Sequence, residues 1–398
     1  MNFIFISPNF PRTYWNFCDR LHRLGVNVLG IGDEPYESLE PRLRESLTEY
    51  CKVDDMRVYP HMYDTVGYLQ AKYGHIDALE SNNEFWLETD ARLRTDFGIT
   101  SGVQLEGLQS FKSKAEMKKY YALGKVPTAR QVKVPVGALT QEVRDFLHLA
   151  GYPVIVKPEV GVGAEATYKL SSDEDLAAFE TTERSVPYVM EEFVFGDIYS
   201  YDAIVDSRGE PLFESSAHFP PSVMDIVNQN LEMVYYTLPQ VPPQLQQRGR
   251  STVKAFGVKN RFVHFEFFCL SVAKPGLGEV GDFVGLEVNM RPAGGYTPDM
   301  MNYAHSTDVY QIWAEMMVYD RRLLQPSGDD HFCAYYGRRD GKAYRHSHDE
   351  VMARYGSVMA MQGRIPEAIA PDLGNVMYMI HARDEAAMQE FYDFISAV

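Results

Sequence analysis

Blocks of apolar and polar positions along the first hundred residues predict strand, helix, strand. Asn2–Ser7 is a short unbroken apolar run, the pattern of a parallel strand covered on both faces. Pro8–Pro11 turns the chain. Trp15, Cys18, Leu21 and Leu24 then recur at helical spacing over Tyr14–Leu24, and Gly25 stops the helix. Val26–Ile31 reads as a second strand, Tyr50–Val53 as a third and Ile76–Leu79 as a fourth, with helices over Tyr63–Tyr73 and Leu87–Phe97. The expectation is a parallel α/β layer. Its first turn, SPNFPRT, lacks the G-x-G-x-x-G of a dinucleotide site, so the layer reads as scaffold or substrate wall.

Further on, the pattern changes. Ser113 caps a helix over Ser113–Leu123 that carries Lys112, Lys114, Lys118 and Lys119, and Gly124 ends it. A helix over Glu142–Ala150 precedes the strand YPVIVKP, which ends in Lys157, and a strand over Ala166–Leu170 follows. Tyr188–Phe195 (YVMEEFVF), Ser200–Val205 and Pro211–Ser215 read as strands, whereas His218–Pro243 is rich in Pro, Asn, Gln and Tyr and resists assignment. Gln244–Phe256 and Ser306–Met317 read as helices. The tail from Gly328 mixes strand-like pieces (Phe332–Tyr336, Val376–Ile380) with a helix over Glu385–Ile395.

One stretch departs from a simple core pattern. FVHFEFFCL places Glu266 inside an apolar run, and GLEVNMRPAGG places Glu287, Asn289 and Arg291 at alternate positions of the next. On a strand over Leu286–Arg291 those three share a face while Val288 and Met290 turn to the core. Two carboxylates, an amide oxygen and a guanidinium suit a hard cation and a phosphorylated ligand. A structural Glu–Arg pair is the alternative. Lys157, at the end of a Val-Ile-Val strand, is costly to desolvate unless an anion meets it. The glycines of Gly161, Val162, Gly163 and Ala164 free backbone N–H groups to curl around phosphate, or make a plain hairpin. Glu191 and Glu192 fall on opposite faces of their strand; one has the position to bind an adenine amino group, the other to face solvent.

Composition narrows the partners. The 398-residue chain carries 38 basic and 55 acidic residues, a formal charge of −17, which argues against nucleic acid and an anionic membrane. A nucleotide needs only local cations. No run of about 20 apolar residues exists to span a bilayer, and Met1–Phe10 lacks a basic leader region. Four scattered cysteines (Cys18, Cys51, Cys269, Cys333) with no C-x-x-C pair read as reduced thiols. The expected location is cytoplasmic. His346 and His348, in YRHSHDE, read as a turn or solvated loop.

In their order, these pieces resemble the ATP-grasp superfamily over about Ser113–Gly295. SKAEMKKYYALGKVPTAR is similar to its entry helix, YPVIVKPEVGVGAEATYKL to its strand, second lysine and phosphate loop, VMEEFVFGDIYSYD to its adenine hinge, and HFEFF with LEVNMRPAGG to its metal and catalytic strands. The resemblance implies a mixed α/β and α+β fold: an N-terminal parallel α/β domain (1–109), a two-subdomain ATP-grasp domain (110–326, lid about 124–195) and a C-terminal α/β extension (327–398). It implies ATP held by Lys114, Lys157, Gly161–Ala164, Glu191, Glu192, Phe193 and Val194, with Asp197 standing where the family often has a ribose-binding Glu. Mg²⁺ (or Mn²⁺) would sit on Glu266, Glu287 and Asn289. Arg291 and Lys157 would be catalytic, and Arg291, Gly294, Gly295 and His218 would contact substrate. The glycine loop has Ala164 and Glu165 where the family often has Gly.

The implied activity is transfer of the ATP γ-phosphate to a small carboxylate, followed by attack of an amine. Use of bicarbonate, as in biotin carboxylase or carbamoyl-phosphate synthase, and non-catalytic ATP binding stay open as alternatives. Expected partners are small-molecule carboxylates and amines, with a homodimer left open.

Overall fold

The computed structural model describes residues 1–161, 166–220 and 232–398, and strand counts refer to these. Strands β1 (Asn2–Ile6), β2 (Asn27–Gly32), β3 (Glu49–Lys52) and β4 (Ala78–Glu80) form a parallel sheet in the order β3-β2-β1-β4. The unbroken apolar run of β1 follows from cover on both faces. Ile4 and Ile6 pack with Met62, Val66 and Leu69 of the helix Tyr59–Tyr73. Phe3 and Phe5 pack with Phe17 and with Trp313, whose ring centroid is 5.7 Å from that of Phe3. Trp313 belongs to the helix Val309–Tyr319, so a distant part of the chain closes the first layer.

A second sheet, antiparallel, has the order β5-β8-β6-β7, from Gln131–Val134 (β5), Val154–Pro158 (β6), Tyr168–Leu170 (β7) and Tyr188–Glu192 (β8). It has its own core around Val134, Val154, Val156 and Met190.

The third sheet, also antiparallel, contains β9 (Gly196–Val205), β10 (Pro211–Ser215), β11 (Ala217–Phe219), β12 (Met233–Thr237), β13 (Arg261–Leu270), β14 (Phe283–Asn289), β15 (Phe332–Arg338), β16 (Met359–Arg364) and β17 (Val376–Ala382). Its order is β14-β13-β9-β11-β12-β15-β17-β16, with β10 sharing the edge of β9. Strands from residues 327–398 thus extend the same sheet as the two acid-bearing strands.

The parallel sheet is tied to this one by a buried charge cluster. Glu80, at the end of β4, receives Arg261 Nη1 at 2.9 Å from the start of β13, and Arg94 Nη2 lies 2.7 Å from its other oxygen. Gly102 closes the cluster. At φ +78°, a Cβ there would lie 2.7 Å from Arg261 Nη2.

Three differences from the sequence reading have physical causes. Within His218–Pro243, β12 is a strand with Met233, Tyr235 and Thr237 buried, a period-two signal masked by polar neighbours; His218 itself lies on β11. Residues 221–231 of that stretch lie outside the described residues. The expected helix Ser306–Met317 starts at Val309, because the Asp308 side chain accepts from Gln311 N as its cap. A separate helix, Thr297–Ala304, precedes it. His348 opens the helix His348–Tyr355 rather than a loop, capped reciprocally by Ser347 and Glu350. The four cysteines are free thiols.

Candidate active site

A cleft of about 710 Å³ lies between the two antiparallel sheets. Ile155 and Lys157 of β6 and Glu191 of β8 line one wall; Glu266 and Phe268 of β13, with Leu286, Glu287 and Asn289 of β14, line the other. Phe193, Val194 and Asp197 of the connection and first turn of β9 lie along it, and Arg291, Gly294 and Gly295 continue its floor.

Glu266 and Glu287 are direct partners in the β13–β14 register. The next pairing, Phe267 with Gly285, skips Leu286, so Leu286 is the extra residue of a bulge. That bulge turns Leu286 and Glu287 both toward the cleft, where strict alternation would separate them. β14 ends at Asn289 rather than at Arg291, because the chain bends at Met290, which is buried. Arg291 therefore enters the cleft from the bend. Its Nη1 donates to Pro292 O at 2.7 Å, and its Nε lies 3.8 Å from Glu84 of the N-terminal layer. Burial of Glu84 holds its carboxyl above the usual range, with the Arg291 charge opposing.

The lysines are braced by carboxylates. Lys114 Nζ donates to Gly161 O at 3.0 Å and lies 3.1 Å from Glu287 Oε1. Glu191 lies between two cations: Lys118 Nζ is 2.8 Å from Oε1 and Lys157 Nζ 2.9 Å from Oε2. Burial opposes ionisation of Glu191, but the charges of Lys118 and Lys157 outweigh it and lower its pKa to about 2. Glu192, expected to face solvent if Glu191 does not, is buried as well. Arg130 reaches it through backbone N at 2.7 Å and guanidinium at 2.7 Å, and Lys274 Nζ lies 3.0 Å away. Lys274 also donates to Phe193 O at 2.9 Å, fixing the hinge connection.

Glu266 is oriented from behind. His264, two residues earlier on the same face of β13, places Nε2 3.3 Å from Glu266 and Nδ1 2.8 Å from Asp202 of β9; Asp202 in turn accepts from Ser200 Oγ. Burial would discharge His264, but Asp202 and Glu266 outweigh it and raise its pKa to about 9. A cationic His264 in turn keeps Glu266 ionised despite burial.

His218 is the predicted contact that the cleft does not gather. Its ring stacks on Tyr199 at 4.1 Å, bonds Tyr236 Oη at 2.7 Å and approaches Asp197 at 3.3 Å, lining a neighbouring depression instead. Gly161 borders the cleft through the Lys114 contact, and Val162, Gly163 and Ala164 lie outside the described residues.

No family profile and no curated protein sequence is matched by this chain. Solved structures are. Phosphoribosylglycinamide synthetase from Anaerococcus prevotii superposes with a TM-score of 0.68 at 14% identity, covering 99% of this chain and 97% of that one. An L-amino acid ligase from Bacillus licheniformis gives 0.69 at 15%, with the same coverage. The biotin carboxylase domain dimer of Hydrogenobacter thermophilus 2-oxoglutarate carboxylase, in complex with MgADP, ADP and bicarbonate, gives 0.69 at 15%, covering 98% and 89%. The fold is ATP-grasp.

Within that ATP-grasp frame the donor set fits a hard cation. Glu266, Glu287 and Asn289 offer only oxygens, and among the described residues no three His, Cys, Asp or Glu side chains cluster as a full metal cage. Two carboxylates and an amide, with lysines beside them, suit an ion that completes its shell on a ligand's phosphates. The sequence reading missed several of the side chains gathered here. Lys118 was legible as the i+4 neighbour of Lys114, and His264 as the period-two neighbour of Glu266. Asp202 and the lining residues Ile369, Asp372 and Leu373 carry no local signal, because only the sheet order brings them here.

Proposed function

We propose that this chain is an ATP-dependent ligase that phosphorylates a small carboxylate to an acyl-phosphate and joins it to an amine. The carrying observation is the meeting, in one cleft, of two braced lysines, the Glu266–Glu287–Asn289 oxygen set and Arg291. A site that only binds nucleotide has no need of a guanidinium beyond the phosphates. The structural neighbours, an L-amino acid ligase and a phosphoribosylglycinamide synthetase among them, are compatible with the same reading.

In this reading Lys114 and Lys157 neutralise the phosphate oxygens, and the hinge Glu191–Val194 receives the adenine, with Asp197 at the ribose. Glu266, Glu287 and Asn289 would hold Mg²⁺ (or Mn²⁺), which would supply further charge neutralisation at the phosphates. Arg291 binds the carboxylate, holds its oxygen toward the γ-phosphorus and steadies the charge that develops on the acyl carbon. The carboxylate oxygen bonds phosphorus as ADP leaves. The amine then bonds the acyl carbon, loses a proton and expels phosphate. Positioning and electrostatics dominate, since phosphoryl transfer asks little covalent help. The chemistry belongs in a cytoplasmic setting, where MgATP is available.

The test is ADP release measured with panels of carboxylates, amines and bicarbonate. Dependence on a carboxylate with an amine supports the ligase; dependence on bicarbonate favours carboxylation, and dependence on nothing tested favours a binding protein. Arg291→Ala is expected to abolish product while MgATP still binds, and near-normal turnover would remove Arg291 from the mechanism.

A further inference from the structure

Beyond Arg291 the cleft changes character. Its far end is walled by Phe219 of β11, Met233 and Tyr235 of β12, and Ile369 and Leu373 of a short C-terminal segment. Phe219 stacks on Tyr235 at 5.0 Å with planes 12° apart, and Tyr235 packs on Tyr335 at 4.9 Å, so this wall is rigid aromatic surface. Gly295, at φ +60°, lets Leu373 approach: a Cβ there would lie 3.0 Å from Leu373 Cδ1. Tyr335 Oη donates to Leu373 O at 2.8 Å and fixes that segment.

The charges of this end are sparse. Among the described residues the cationic side chains lining the cleft are Lys114, Lys157, Lys169, Arg291 and His264, the three lysines standing at the hinge and phosphate end and His264 held between Asp202 and Glu266; Asp372 is an anion. The helix Thr297–Ala304 begins nearby, with the acidic Asp299 already in its first turn. A phosphorylated or acidic group placed there would lack the paired cations such groups need. An apolar group would lose only water.

Resting on the ligase reading above, we infer that the carboxylate substrate carries an apolar or aromatic side chain, its carboxylate on Arg291 and its side chain in the Phe219–Met233–Tyr235–Ile369–Leu373 end of the cleft. Burying a leucine-sized side chain there is worth on the order of a 10- to 150-fold preference.

The test uses the full chain with MgATP and hydroxylamine, which traps any acyl-phosphate as a hydroxamate whichever amine is natural. Carboxylates with leucine- or phenyl-sized side chains are expected to exceed glycine-sized and acidic ones at least 10-fold in kcat/KM. Leu373→Lys is expected to shift preference toward the acidic set, and Ile369→Ala, a milder change, to narrow the apolar preference. Preference for acidic or phosphorylated carboxylates, or an order untouched by both folded variants, would overturn the inference while leaving the ligase reading intact. Formation of hydroxamate from none of the carboxylates would overturn the ligase reading itself, and this inference with it.

Discussion

Replacing Glu191 by Gln removes one negative charge from between two buried ammonium groups. Lys118 and Lys157 stand 2.8 and 2.9 Å from its oxygens, and all three side chains are largely shielded from water. Breaking a buried pair by deleting one partner costs about 3–5 kcal/mol, because the remaining charge stays desolvated. At about 2–4 °C per kcal/mol for domains of this general size, Glu191→Gln should melt roughly 6–20 °C below the parent without nucleotide. MgATP should restore part of that loss, since a phosphate oxygen can meet Lys157 where the carboxylate no longer does. Adding Lys118→Met should restore part of it without nucleotide, because one of the stranded charges is then gone. Thermal melts with and without MgATP read all three. The pH dependence has a definite sign: the pKa of Glu191 is lowered, so its contribution is present above the ordinary glutamate pKa and is lost as pH falls toward 2. A melting change under about 2 °C, or no recovery in the double variant, would refute the bracing role.

Other substitutions probe the metal support, the buried acid Asp299 and the Gly102 contact. Asp202→Asn weakens the support behind His264 and Glu266 and should raise the Mg²⁺ concentration for half-maximal ATP binding about 10- to 100-fold with little change in ATP binding without metal, as for other partners of metal-holding carboxylates; calorimetric titration checks it. Burial raises the pKa of Asp299 to about 7. Its stabilising effect is therefore complete below the ordinary aspartate pKa and lost as pH rises through about 7, worth on the order of 4 kcal/mol if the whole shift is realised. Asp299→Asn, which keeps an acceptor for the Tyr310 hydroxyl now 3.1 Å away, should flatten denaturant stability between pH 4 and 8. Gly102→Ala combines a left-handed backbone with a Cβ 2.7 Å from Arg261, and should cost about 1–3 kcal/mol by urea titration.

Much of this was legible in the sequence where the information is local. The unbroken run of β1 announced a doubly covered strand, the Ser113 cap is realised by an acceptor contact to Glu116 N, and E-x-N-x-R with an upstream Glu marked side chains that line one cleft. What was not legible depends on register and distance. Period two alone could not show that Leu286 is skipped, which decides how Glu266 meets Glu287. Nor could it show that Arg291 leaves the strand, since the bend follows the burial of Met290. The roles of Glu191 and Glu192 as braces needed Lys118, Arg130 and Lys274, partners set by sheet and helix packing. The apolar end of the cleft combines β11, β12 and residues 369–373, which are neighbours only after the last strands join the central sheet.

In the proposed reaction a carboxylate oxygen attacks the γ-phosphorus. The most direct measurement supplies a carboxylate that turns over, labelled with ¹⁸O in its carboxyl group, together with an amine and MgATP, and reads the label in the released phosphate by mass. The account predicts one ¹⁸O transferred into each phosphate, ADP formed in equal amount, and a product whose mass is the sum of acid and amine less one water. Phosphate carrying no label, with ADP still formed alongside that product, would contradict it.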